Sequence, residues 1–173
     1  MFVKKKGQVW VETVTYTLIA LVLIGLILAF VKPKIDELQD KALIEQSIGM
    51  LKQINSVINE VSQDGVGNKR LVEISISKGD LTINSSTDTL SFLFKGAYMY
   101  SEPGQNYSEG SFNISTTQLG SGYNVLIEKK YSGFNLTYSG KDSSKIITSS
   151  SSPYQIFIEN KGGVSNNIDF SLK

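Results

Sequence analysis

The 173-residue chain has no cysteine and no histidine. Disulfides, thiolate chemistry, Cys/His metal sites and histidine acid–base catalysis are therefore excluded, and any stability outside a cell has to come from packing or assembly. Proline is scarce, with three residues, and tryptophan occurs once. An excess of one charge is also missing. Seventeen basic residues against 16 acidic ones leave a formal net charge of +1, which makes no nucleic-acid surface. There is no phosphate-cradling glycine motif, no serine nucleophile elbow and no Asp-x-Asp-x-Asp-Gly calcium loop. The later acids, among them Asp80, Asp88, Glu102, Glu109, Glu128, Asp142, Glu159 and Asp169, are scattered, and no spacing points to paired carboxylates for glycoside hydrolysis. The chain reads as a non-enzyme with no cofactor.

What it does have is one long apolar run. Thr13 to Val31 is uncharged, and its 19 residues span roughly 28 Å as a helix, about enough to cross a bilayer. The run is too long for the apolar region of a secretory signal, and no small-x-small cleavage site follows it. Lys32-Pro33-Lys34 and a charged amphipathic segment come next, so the run is expected to be retained. Lys4-Lys5-Lys6-Gly7-Gln8-Val9-Trp10-Val11-Glu12 precedes it. The three lysines favour a cytoplasmic N-terminus, and Lys32 and Lys34 on the far flank pull the other way. Glu12 stands one residue before the uncharged run, either as an interfacial carboxylate that reaches water or as the partner of another group. Trp10 and Tyr16 fit an interfacial aromatic belt.

Beyond the run, Ile35, Leu38, Ala42, Ile44, Ile48, Leu51, Ile54, Ile58 and Val61 recur every two to four residues, the mark of one apolar helix face. Pro33 lacks an N–H and suggests a kink, and Gln63-Asp64-Gly65 supplies a stop. A helix over 8–63 would be about 84 Å long, too long to bury its faces within one small domain. From Leu71 the period changes to two. Leu71 to Ser77, Leu81 to Ile83, Thr89 to Phe94, Ala97 to Tyr100, Ser111 to Ser115, Tyr123 to Glu128, Gly133 to Tyr138, Lys145 to Thr148, Tyr154 to Glu159 and Asn167 to Leu172 are predicted strands, with a turn at Lys78-Gly79-Asp80. Their spacing suggests an antiparallel β-sandwich. The fold class is thus α+β: a long N-terminal helix carrying a β-sandwich head that is expected to fold alone.

Four N-glycosylation sequons fall in the head, at Asn84, Asn106, Asn113 and Asn135. Ser143 to Ser152 reads as a polar surface loop. Tyr98, Tyr100, Tyr107, Tyr123, Tyr131, Tyr138 and Tyr154 either pack on strands or form an adhesive face, with strand packing the simpler reading.

Residues Lys4 to Val31 resemble the class III signal peptide of archaeal type IV pilins and archaellins: a basic run, a small residue, then a carboxylate five residues on at the mouth of the apolar helix. The resemblance implies a leader, 1–7, removed by a prepilin-type signal peptidase, with Gly7 the last residue lost and Gln8 the new N-terminus. It implies a helix over 8–63 with its membrane segment at 13–31, followed by a β-rich extracellular head over 71–173. Loss of Lys4, Lys5 and Lys6 takes the formal net charge from +1 to −2. In such a subunit Glu12 pairs with the freed α-amino group of Gln8 on a neighbour. The implied partners are identical or related pilin subunits, the signal peptidase, the membrane and a filament-assembly platform, with no nucleic acid. The implied location is the cell membrane before assembly and a surface filament after it. A minor pilin or archaellin fits the same residues, and the competing reading is a single-pass anchored surface binding protein, in which Gly7, Gln8 and Glu12 have no required role.

N-terminal sequencing of the mature protein is expected to begin at Gln8. A mature chain beginning at Met1, or beyond Val31, would contradict the pilin resemblance.

Overall fold

The computed structural model describes residues 6–163 and 166–173, with side chains of the first helix described from Val9 onward. Lys4 and Lys5 of the expected leader lie outside the described residues. A single helix, α1, runs from Lys6 to Gln63, 58 residues, with Pro33 inside it. At 1.5 Å per residue it is about 87 Å long. Among the described residues ten strands follow: β1 (Lys69–Ile74), β2 (Asp80–Asn84), β3 (Thr89–Gly96), β4 (Asn106–Glu109), β5 (Phe112–Leu119), β6 (Gly122–Lys130), β7 (Asn135–Tyr138), β8 (Lys145–Thr148), β9 (Tyr154–Gly162) and β10 (Asn167–Leu172).

The strands form two sheets, one ordered β1-β9-β10-β7 and the other β4-β5-β6-β3-β2-β8. The α+β class with a sandwich-like head is therefore what the chain adopts. Pairing is antiparallel except between β7 and β10, which run parallel with Leu136 opposite Ile168. A parallel neighbour needs a long crossover, and here β8 and β9 supply it. β1 and β2 do not form a hairpin. The Lys78-Gly79 bend carries the chain from one sheet to the other. Gly79 has φ +100° with the Phe92 ring directly beneath it, so a side chain there would be both strained and obstructed.

Alternation fills the interior. Leu81, Ile83, Leu90, Phe92, Phe94, Phe112, Ile114, Val125 and Ile127 point inward from the larger sheet, and Val72, Ile74, Ile156, Ile158, Ile168 and Phe170 from the smaller. The same cluster contains one stripe of α1. Ile44, Ile48, Leu51, Ile54, Ile58 and Val61 are each no more than 3% exposed. Ile35, Leu38 and Ala42, which continue that face toward the N-terminus, are exposed. The second half of the helix is thus a wall of the head, and the first half leaves it. Removal of the helix would uncover the middle of the core, which weighs against the expectation that the β-region folds alone.

The end of the helix is fastened by a residue nearly a hundred positions away. Buried Asn160 on β9 donates from Nδ2 to the Val61 carbonyl (3.1 Å), and its Oδ1 accepts from the Gly162 amide (2.9 Å). One orphan carbonyl of the last helical turn is thereby satisfied. Arg70 bridges back to Asp64 at 2.7 Å on the surface.

One expected strand is absent, and one strand that was not expected is present. Ala97 to Tyr100 is irregular because the Ala97 amide is taken by the Asp40 carboxylate of α1 (2.6 Å) and not by a neighbouring strand. β4 is a strand that sequence missed, since Asn106-Tyr107-Ser108-Glu109 is polar and lies on a sheet edge, where no alternation of burial is imposed. Within Ser143 to Ser152 the predicted strand β8 is present, and the serines beyond it are exposed.

Ile54→Ala is expected to cost about 2–5 kcal/mol, the range for truncating a fully buried isoleucine, measured by urea unfolding of the full chain followed by circular dichroism. A fragment starting at Leu71 is expected to lose cooperative unfolding, whereas one starting at Asp36 keeps it. A cooperative transition in the shorter fragment would show that the helix is not part of the core.

Candidate functional site: the exposed stalk and the outer face of the head

From Val9 to Leu38 the helix presents large apolar side chains on all sides. Trp10 and Tyr16 are each 70% exposed and Phe30 84%. None of its most apolar window is buried, and the helix has the length and composition to cross a membrane. Its threonine hydroxyls near the N-terminal end bond back to the helix. The hydroxyls of Thr13, Thr15 and Thr17 donate to the carbonyls of Val9, Val11 and Thr13 at 2.8–2.9 Å, so each is satisfied inside the helix. Glu12 differs, being exposed and without a hydrogen-bond or ion-pair partner among the described residues. The backbone of Gly7 and Gln8 is helical, which sets the expected cut within the first turns of α1.

The stalk is joined to the head through Asp40, a buried carboxylate one turn before the apolar stripe. Oδ1 accepts from Lys78 Nζ and Oδ2 from the Ala97 amide, both at 2.6 Å. Lys78 also lies over the Phe94 ring at 4.7 Å. Gly96 permits the close approach, since a methyl there would run into the Asp40 carboxylate. These bonds tie the helix where it leaves the head to the start of β2 and the end of β3, so the stalk has a fixed direction relative to the sheets. Sequence reasoning missed this joint. Asp40 reads as one more surface acid of an amphipathic helix, and its partners lie 38 and 57 positions on.

The four sequons have different surroundings. Asn106 and Asn113 are exposed and lie on adjacent strands in reciprocal register, with Asn106 opposite Ser115 and Ser108 opposite Asn113. The Ser108 hydroxyl donates to Asn113 Oδ1 at 3.1 Å. Strand alternation places Asn84, Asn106 and Asn113 on the outer face of the six-stranded sheet, away from inward-pointing Ile83, Phe112 and Ile114. Asn84 is half-buried, with its Oδ1 accepting from the Ser86 amide and from the hydroxyls of Ser86 and Ser144. Asn135 belongs to the other sheet, and its sequon threonine, Thr137, is 4% exposed and donates to Asp169 at 2.7 Å. Burial pushes the Asp169 carboxyl up, but hydrogen bonds from the Gly140 amide, Thr137 and Lys161 outweigh it and hold the group below its usual range. A depressed carboxylate stabilises the fold at neutral pH, and that contribution is lost as pH falls through the lowered value. Thr137 is therefore part of the packing around β10.

The tyrosines also divide. Tyr131 is in the core, and Tyr138 and Tyr154 pack against it. Tyr98, Tyr100 and Tyr107 gather beside α1, with Tyr107 51% exposed. Among the described residues no three carboxylates converge to hold a metal ion. Comparison with family models, with curated protein sequences and with solved structures finds no match to the chain.

Proposed function

We propose that this chain is the structural subunit of an archaeal type IV pilus-like surface filament, serving attachment. Before assembly its stalk stands in the membrane. In the filament the segment 13–31 leaves lipid and buries against the same segment of identical or related subunits, with the heads outside. The observation that carries this reading is a single helix, half exposed and apolar, half built into the head core. A flexible tether would suffice to anchor a binding protein. A stalk that is fixed to its head gives every subunit the same geometry, which is what a repeating assembly requires.

Glu12 supplies register. A carboxylate carried into an apolar bundle is costly alone, and the new α-amino group at Gln8 of a neighbour is a partner of opposite charge at matching depth. Leader removal by the prepilin-type peptidase frees that amine, so processing and assembly are linked. As a major pilin, a minor pilin or an archaellin the chain would use the same contacts.

The outer face of the six-stranded sheet is the glycan-bearing face in this reading. Glycopeptide mapping of the native protein is expected to find modification at Asn106 or Asn113 ahead of Asn84, and none at Asn135, where the threonine is engaged with Asp169. Occupancy of Asn135 equal to that of Asn106 would contradict this ranking.

Glu12→Ala is expected to leave insertion and head folding intact and to lower filament yield by more than about tenfold at equal levels of processed subunit, because an amine buried without its partner costs ~3–5 kcal/mol. An unchanged yield would remove Glu12 from assembly and favour the single-pass anchored surface binding protein.

A further inference from the structure

We propose that the groove between α1 and the connection from β3 to β4 is a saccharide-binding site selective for neutral or amino pyranosides. The groove has a volume of about 450 Å³, room for one or two sugar rings, and is walled by Tyr98, Tyr100 and Tyr107. The rings meet edge to face, Tyr98 to Tyr100 at 6.5 Å and Tyr100 to Tyr107 at 6.3 Å. Tyr98 and Tyr100 rest on the core, but Tyr107 is on the edge strand β4 and half of it faces solvent. A half-exposed aromatic ring beside polar groups is what the apolar C–H face of a pyranose needs, with the amide of Gln105 and the carboxylate of Glu102 at hand for its hydroxyls.

The walls are set in advance of any ligand. Tyr100 donates to Glu109 at 2.7 Å, and the other oxygen of Glu109 accepts from Lys52 on α1, also at 2.7 Å. The Lys52 and Tyr100 bonds hold the Glu109 carboxyl below its ordinary range against the opposing effect of burial. The connection itself is pinned to β5. The Ser101 amide donates to Thr116 Oγ1 and the Gly104 amide to the Thr116 carbonyl, both at 3.1 Å. A loop fixed in this way loses little entropy on binding.

Charge sets the selectivity. Lys41 and Glu45 are paired at 3.8 Å, and Glu102 has no basic partner among the described residues, so the rim is negative. Uronic and other acidic sugars are repelled, while neutral and amino sugars are admitted. The site does not depend on assembly and is tested on the unassembled chain, separately from the filament reading.

The test is saturation-transfer NMR on the full chain, produced without N-glycosylation and held in an uncharged polyoxyethylene detergent free of sugar. The probes are methyl α-mannopyranoside, methyl β-glucopyranoside, N-acetylglucosamine, glucuronate and tetramethylammonium. Transfer to at least one neutral saccharide and none to glucuronate is expected. Tyr107→Ala is expected to weaken binding roughly tenfold, as loss of one aromatic contact does. Glu102→Gln is expected to admit glucuronate, a gain that a misfolded variant would not give. No transfer to any neutral saccharide, undiminished binding by Tyr107→Ala, or transfer to tetramethylammonium alone would overturn the proposal.

Discussion

The contact on which the rest of the structure depends is the stripe Ile44, Ile48, Leu51, Ile54, Ile58 and Val61 of α1 against the inner faces of the two sheets. The inward side chains of the two sheets form one core, and the helix stripe completes it as a wall. The burden is reciprocal. A helix about 87 Å long with apolar residues at both ends needs two different surroundings, and the head covers only the C-terminal part. Asn160 at the last turn and Asp40 at the point of exit mark the two ends of the covered segment. Between them the helix belongs to the head, and before Asp40 it leaves the head with its large apolar side chains exposed.

That division gives the stalk a mechanical character. The Asp40 carboxylate binds the Lys78 side chain just before β2 and the Ala97 amide just after β3, so rotating the stalk about its exit would break both part-buried bonds. Force or orientation applied to the apolar half is then passed directly to the sheets. In a filament of such subunits the arrangement of stalks would dictate the arrangement of heads. The outer face of the six-stranded sheet, with Asn106 and Asn113 exposed, and the tyrosine groove beside α1 would repeat with the same spacing along the surface.

Much of this was legible in the sequence, for identifiable reasons. The uncharged run Thr13 to Val31 and the stop at Gln63 announce the helix through composition alone, and period two announces most strands. The alternation Leu90, Phe92, Phe94 is a local signal of a half-buried sheet, and the structure pairs it as such. What was not legible depends on contacts far apart in the chain. Ala97 to Tyr100 has strand-forming residues, yet its first amide is captured by Asp40 from 57 positions upstream. β4 shows no alternation of burial and exists because β5 offers it an edge. Ile35, Leu38 and Ala42 share the periodicity of Ile44 to Val61, so periodicity could not say where the head stops covering the helix. The sequons were plain as motifs, but the burial of Thr137 against Asp169 and the reciprocal register of Asn106 and Asn113 needed the fold.

Electron cryo-microscopy of filaments from cells that express this chain tests the central claim most directly. The expected result is subunits that begin at Gln8, helices continuous to Gln63 packed along the axis, heads attached through Ile44 to Val61, and Glu12 within hydrogen-bonding distance of a neighbour's N-terminus. Filaments built through the heads with the stalks splayed outward, or a chain found only as a monomer in the membrane when filaments are present, would contradict it.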